Sequence, residues 1–340
     1  MAEYENIPEE LFRFRDEELS GRDERLETPS LTFIQDAFRR LRKNKVALFC
    51  MLVLLIIIIL AFTAKWIAPY DPNEQNIPYA NLPVKLPGIH IHGFDGYAKL
   101  GGKWFDKYAS AGVPDGVYFL FGTDEFGRDI LSRALFGTRI SLTIAFLAAF
   151  LDLTIGLIYG LTAGMKGGMT DTIMMRIIEI LSGVPNLIIV VLMILILKPG
   201  MTSIIIAMVI SSWISMARIV RAQTLKVKNL EYVAAARVLG VSDWEIAMKH
   251  VLPNISGIVI VRTMFSIPGA IFFETFLSFI GVGMKIPNAS IGTLLNGGYK
   301  VARIYPYQMW IPAVIICIIM LAFNLFADGL RDAFDPKMKD

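Results

Sequence analysis

The sequence predicts an all-α integral membrane protein with about six transmembrane helices. Three observations carry that prediction. Of 340 residues, 55% are hydrophobic and 19% charged, with a mean hydropathy of +0.55; a soluble domain has about 45–50% apolar and about 25% charged residues. Residues 46–62 form an unbroken apolar run, extended by 63–68, which is long enough to cross a bilayer core of about 30 Å. Further apolar stretches follow at 140–164, 172–197, 201–220, 255–282 and 310–330.

Residues 1–30 hold ten acidic residues against four arginines and lack the basic start and short apolar core of a cleaved signal peptide. Arg39, Arg40, Arg42, Lys43 and Lys45 then stand against the first apolar run. Basic residues collect on the cytoplasmic side of a span, so the first span reads as an uncleaved anchor with the N-terminus in the cytoplasm. An even number of spans returns the C-terminus to the same side. This topology places Arg218, Arg221, Lys226, Lys228, Arg237 and Lys249 in one cytoplasmic loop, against Lys198, Lys285, Lys300 and Arg303 outside. The chain divides into an acidic segment 1–38, an anchor 39–68, an external loop and interfacial helix 69–137, a core 138–335 containing a cytoplasmic loop 222–254, and a tail 336–340.

The external stretch 70–121 is rich in Gly, Pro and Asn. His90 and His92 lack a third ligand and read as loop histidines rather than a metal site. Cys50 and Cys317 lie far apart in apolar runs and read as small buried hydrophobes. In 121–142, Thr123 or Asp124 can cap a helix. Ile130, Leu131, Ala134 and Leu135 share its apolar face, opposite Arg128, Asp129, Ser132 and Arg133. That pattern predicts a helix lying on the membrane before the next span.

Gly183 and Pro185 break the third span and Pro268–Gly269 the fifth; breaks of this kind survive where the freed backbone groups face protein or water. Asp152 and Glu274 sit within apolar segments. Each is either part of a pathway or a hydrogen-bonded tie inside the bundle. Arg176 and Glu179, three apart, suit an ion pair. Gly156, Gly160 and Gly164, at four-residue spacing, predict close helix packing.

Between two apolar segments lies the polar stretch 229–254, NLEYVAAARVLGVSDWEIAMKHVLPN. Asn229 is an N-cap type, with Glu231 in the first turn. Gly240 ends that helix, Ser242 and Glu245 form a capping box for a second, and Pro253 ends the second near Leu252. Two short helices joined through a glycine can dock into a protein groove or read DNA, or be a plain hairpin between spans. Only modest basic charge surrounds them, which disfavours nucleic acid.

No phosphate-binding G-x-x-x-x-G-K-[ST], no H-E-x-x-H and no G-x-S-x-G occurs. The chain therefore carries no visible means of hydrolysing ATP and is not expected to be an enzyme or to hold a cofactor or metal.

The pattern formed by Glu231, Tyr232, Val233, Ala235, Ala236, Arg237, Leu239, Gly240 and Ser242, then Ile246, Lys249, His250, Leu252, Pro253 and Asn254, resembles the "EAA" loop of permease subunits in ABC importers. The run with Gly122, Thr123, Asp124, Gly127, Arg128, Asp129, Ser132, Arg133, Gly137, Arg139, Ser141 and Leu142 resembles the C-type permeases of the dipeptide/oligopeptide/nickel subgroup. The segment 68–72 after the first span is similar too, so the likeness covers about 39–335. It departs at Ala234, where the motif has glutamate, and in an external segment, 73–120, longer than is usual.

The resemblance implies the type I importer permease fold and a prokaryotic cell membrane. It also implies a second, related permease, two ATPase subunits that bind ATP and Mg, and an extracytoplasmic peptide-binding protein. It further implies ATPase docking by Glu231, Tyr232, Ala235, Ala236, Arg237, Leu239, Gly240, Ser242, Trp244, Ile246 and Pro253. Arg237 and Lys249 read as rim contacts or solvated charges. The implied cargo is a dipeptide or oligopeptide; nickel or another small solute is the alternative. An ion-coupled secondary transporter would rest on Asp152, Glu274 and the broken helices, but it needs inverted repeats, and the sequence displays none.

Overall fold

A computed structural model describes residues 33–89, 91, 93–100, 102–284 and 289–335. The acidic start, His90, His92, Lys285 and the final tail lie outside the described residues. Helix α1 (Phe33–Lys43) is amphipathic and leads into the first span, α2 (Lys45–Phe62), at Asn44, whose side chain accepts the Ala47 N–H at 3.0 Å. A short α3 (Ala64–Ile67) closes it. The segment that follows holds a 3₁₀ turn (Ile77–Tyr79), the antiparallel hairpin β1 (Tyr97–Leu100) and β2 (Lys103–Asp106), and α4 (Lys107–Ser110). Its small core gathers Leu82, Tyr108 and Phe119. The Tyr108 hydroxyl donates to Pro83 O at 2.9 Å, and burial pushes its pKa well above the usual tyrosine value.

The second span, α5 (Ile130–Lys166), is one uninterrupted helix of 37 residues. Next come α6 (Gly168–Ser182) and α7 (Asn186–Leu197), bent by 79° where Gly183 and Pro185 interrupt the backbone ladder. Then α8 (Met201–Ser211) and α9 (Trp213–Val227) make one span of 27 residues. Helices α10 (Glu231–Val238) and α11 (Asp243–Ile246) lead through a π turn (Ala247–Val251) into α12 (Leu252–Phe279). A helix absent from the sequence reading, α13 (Ile291–Val301), precedes the last span, α14 (Tyr307–Phe334). Among the described residues, five helices are long and apolar enough to cross a membrane, and six if the bent pair counts as one span.

Helix α5 is the central post. Its glycines let α9 approach: a β-carbon on Gly156 would stand 2.6 Å from Met216 Cβ, and one on Gly160 2.6 Å from Ala217 O. Backbones this close gain dispersion contacts that larger residues would prevent. At one face of the bundle α1 packs on the end of α14, with Leu41 and Ala333 buried together and Arg40 Nη1 donating to Asp335 O at 3.1 Å. The first and last described segments thus lie on the same face. The start of α12 lies there too, since Gly257, Ile258 and Arg331 line one cavity.

Three local expectations are corrected. The fifth span does not break at Pro268–Gly269; α12 runs through Pro268. The second helix of the 229–254 stretch does not end at Pro253. The five-residue π turn shifts the hydrogen-bond register ahead of it, so that the proline falls in the first turn of α12, where its missing N–H costs nothing. Cys50 is buried as expected, whereas Cys317 lies exposed on the outer surface of α14.

Candidate functional site

The stretch 229–254 forms a two-helix knob on the face that carries the first and last described segments. Helix α10 begins one residue later than expected. Leu230 is its N-cap, and the Asn229 amide turns back to donate to Leu225 O at 3.1 Å. The helix ends in a Schellman closure, with Gly240 at φ +83. The Gly240 N–H reaches Arg237 O at 3.0 Å and the Val241 N–H reaches Ala236 O at 3.2 Å. Ser242 caps α11 by accepting the Glu245 N–H at 3.3 Å. Only this half of the expected capping box carries over, because the Glu245 carboxylate pairs instead with Lys249 at 2.5 Å. Asn254 donates to the Tyr232 hydroxyl at 2.9 Å, tying the two legs of the knob.

One side of the knob is a core. Val233, Ala236, Ile246, Ala247 and Val251 pack on Leu161, Met216, Val220 and Ile255. Ala236 and Ile246, expected as docking residues, are therefore buried and hold the knob to α5 and α9. They offer no surface to a partner. The other side is apolar and open. Val238 is 88% exposed, Leu239 82% and Trp244 61%, beside Tyr232 and Met248. Val238 was missed in the sequence because it breaks no pattern there; its exposure follows from the helix ending directly after it. Glu231, Ala234, Ala235, Arg237, Gly240, Ser242 and Pro253 are exposed on the same knob. Arg237 pairs with Asp243 at 3.2 Å in the open, which contributes at most about 1 kcal/mol.

The two membrane carboxylates have different settings. Glu274 is fully buried. Its Oε2 accepts from Ser141 Oγ on α5 at 2.7 Å, its Oε1 from Ser278 Oγ at 2.8 Å, and Ser141 in turn accepts the Ile291 N–H of α13 at 3.4 Å. It ties three elements together. Asp152, 4% exposed, lines a cavity of about 370 Å³ with Asn186, Ser211, Arg262 and Ser266, and its Oδ1 has no hydrogen-bond partner.

The interfacial helix expected around 121–142 does not exist as a separate element. Residues 123–129 form a turn, and α5 starts at Ile130 with Asp129 as its N-cap, accepting the Ser132 N–H at 2.8 Å. Arg128 and Arg133, expected on a polar face, are buried. Asp124 Oδ2 takes Arg128 Nε at 2.7 Å and faces Arg133 Nε at 3.6 Å, while its Oδ1 accepts the Phe126 and Arg128 N–H groups. Gly127 lies against the Asn76 carbonyl with no room for a side chain. The amphipathic pattern has another cause: its polar face is covered by the segment between α3 and α5. Arg133 Nη1 donates to Pro72 O at 3.0 Å, and from α14 the Tyr307 hydroxyl donates to Leu82 O at 2.8 Å. Burial raises the Asp129 pKa above the usual carboxylate value, an effect opposed by its bonds to Ser132.

A family model described as the binding-protein-dependent transport system inner membrane component matches residues 153–340. The chain belongs to this family of inner membrane components. A second model, the N-terminal TM domain of oligopeptide transport permease C, matches residues 32–83. Among relatives of these inner membrane components, a dipeptide transport system permease protein DppC of Lactococcus lactis subsp. cremoris is 42% identical, over 94% of this chain and 95% of the relative. An oligopeptide transport system permease protein OppC of Bacillus subtilis is 39% identical, over 98% and 99%. A solved structure of the MetNI methionine ABC transporter, facing inward, is similar over 59% of this chain and 97% of that one, with TM-score 0.47 and 17% identity. The protein is thus an inner membrane component of a binding-protein-dependent transport system, with several helices long and apolar enough to cross a membrane.

Proposed function

We propose that the chain is one of two related permeases in a peptide importer of a prokaryotic cell membrane, with both termini cytoplasmic. Two ATPase subunits, which bind ATP and Mg, dock on the 229–254 knob, and an extracytoplasmic peptide-binding protein delivers the cargo. Catalytic residues are not expected in this chain. The observation that carries the docking assignment is the apolar outer face of Val238, Leu239 and Trp244 on a knob whose inner face is packed to α5 and α9. An exposed apolar patch of this kind marks a protein contact. Because the inner face is fixed, a partner that moves the knob moves the bundle with it; the coupling requires that the partner bind the two states differently. The basic cluster Arg39, Arg40 and Arg42 of α1 on the same face supports the cytoplasmic assignment. Dipeptide or oligopeptide cargo is supported by the names of full-length relatives at 42% and 39% identity.

The test is affinity purification of the tagged chain from its native membrane, followed by reconstitution in vesicles. Co-purification of a second permease and ATPase subunits, with ATP-dependent uptake of labelled peptides on addition of the binding protein, is the expected result. Recovery of the chain with copies of itself alone, or uptake of a nickel chelate but not of peptides, would overturn it.

A further inference from the structure

Asp152 is one of several polar side chains that converge on a single cavity from four helices of the bundle. Asp152 comes from α5, Asn186 from the start of α7, Ser211 from the end of α8 and Arg262 from α12, and the space between them is about 370 Å³. Ser212, between α8 and α9, and Ser266 complete the polar lining. Three of these side chains each keep a buried polar atom without a hydrogen-bond partner: Asp152 Oδ1, Ser212 Oγ and Arg262 Nε. In a membrane bundle an unpaired polar group costs several kcal/mol, so a cavity bordered by three of them suits a polar occupant.

Their chemistry narrows the occupant. A carboxylate only accepts hydrogen bonds, a guanidinium only donates, and amides and hydroxyls do both. One carboxylate and one guanidinium together give the lining no net charge, so it favours neither acidic nor basic cargo. The rest of the wall includes Met208, Phe265 and Phe273, apolar groups that accept side chains of varied shape. An extended peptide presents alternating N–H and C=O groups along its length. We infer that this cavity is a main-chain subsite of the translocation path, in which Asp152 accepts from peptide N–H groups and Arg262 donates to peptide carbonyl oxygens. The inference rests on the peptide reading above. It explains how a permease can hold peptides whatever their side chains.

The test uses the complete transporter in proteoliposomes, with assembly checked by co-purification. Asp152→Asn and Arg262→Gln should each lower the uptake rate by about tenfold or more, the scale of one charge-assisted hydrogen bond. The loss should be the same for tripeptides with acidic, basic and apolar side chains. As an independent readout, Cys50 and Cys317 are replaced by Ala and Ser211→Cys is introduced. Added tripeptide should then slow its reaction with a polar thiol reagent. Unchanged uptake in both charge variants, or labelling indifferent to peptide, overturns the subsite. A loss confined to acidic or to basic tripeptides overturns the main-chain role, because side chains would then be what is read. If the unmodified transporter carries no peptide at all, the peptide reading falls and the subsite falls with it.

Discussion

Gly240 allows the shape of the knob to be separated from its contact with a partner. The residue has φ +83, and a β-carbon there would meet nothing within 4 Å. Any L-residue at this point therefore bears only the backbone cost of the left-handed conformation, about 1–2 kcal/mol. Gly240→Ala and Gly240→Trp share that cost. The closure bonds to Arg237 O and Ala236 O and the burial of Val233 and Ile246 remain in both. What the tryptophan adds is bulk between Leu239 and Trp244, in the face assigned to the ATPase. We expect both variants to reach the membrane. Gly240→Ala should keep peptide uptake within several-fold of wild type, whereas Gly240→Trp should abolish uptake and release the ATPase subunits on affinity purification. Uptake is measured with labelled peptide, normalised to inserted protein. Normal uptake with Gly240→Trp would show that this face contacts nothing needed for transport. Equal losses in the two variants would show that the backbone, not the contact, is what matters.

The α5–α9 interface gives a second prediction. Gly160→Ala drives a β-carbon to 2.6 Å from Ala217 O and 2.7 Å from Val220 Cβ, so it should cost about 1–3 kcal/mol of packing and lower the melting temperature in detergent. Gly297→Ala, with nothing within 4 Å, should not. A third concerns Asp129, whose pKa burial raises. A carboxyl with a raised folded-state pKa contributes stability that is present below its unfolded value and is lost as pH rises through the folded value. The contribution of this group to thermal stability should therefore grow as the pH falls from neutral toward the ordinary carboxylate value of about 4. Asp129→Asn, which keeps an N-cap side chain, should reduce that slope; an unchanged slope would assign it to other groups.

The spans were legible because hydrocarbon imposes one strong rule: about 20 apolar residues in helical form. The knob was legible as well, since Gly240 and Ser242 act through local backbone chemistry that needs no tertiary contact. The errors share a cause. Arg128 and Arg133 look like a solvent-facing stripe, but the segment between α3 and α5 folds back over them. Ala236 and Ile246 belong to the right motif yet face inward, and a motif does not state which of its residues are seen from outside. Pro253 and Pro268 signal helix ends in water; here a π turn and the surrounding bundle carry the helix past them. The cavity beside Asp152 brings together residues 152, 186, 211 and 262, a juxtaposition that periodicity along one segment cannot reveal.

Through the π turn, α11 and α12 form one continuous helical stretch of 37 residues, Asp243–Phe279. At 1.5 Å per residue that is a rod of about 55 Å. Trp244 is at one tip, Arg262 near the middle, and Glu274 close to the far end, where it is bonded to α5. A tilt of about 5° about Glu274 would carry the Trp244 tip, about 45 Å away, through about 4 Å. Glu274 would then act as the fulcrum pin: while its serine bonds hold, a push on the handle turns into movement of the middle of the rod, where Arg262 borders the peptide path.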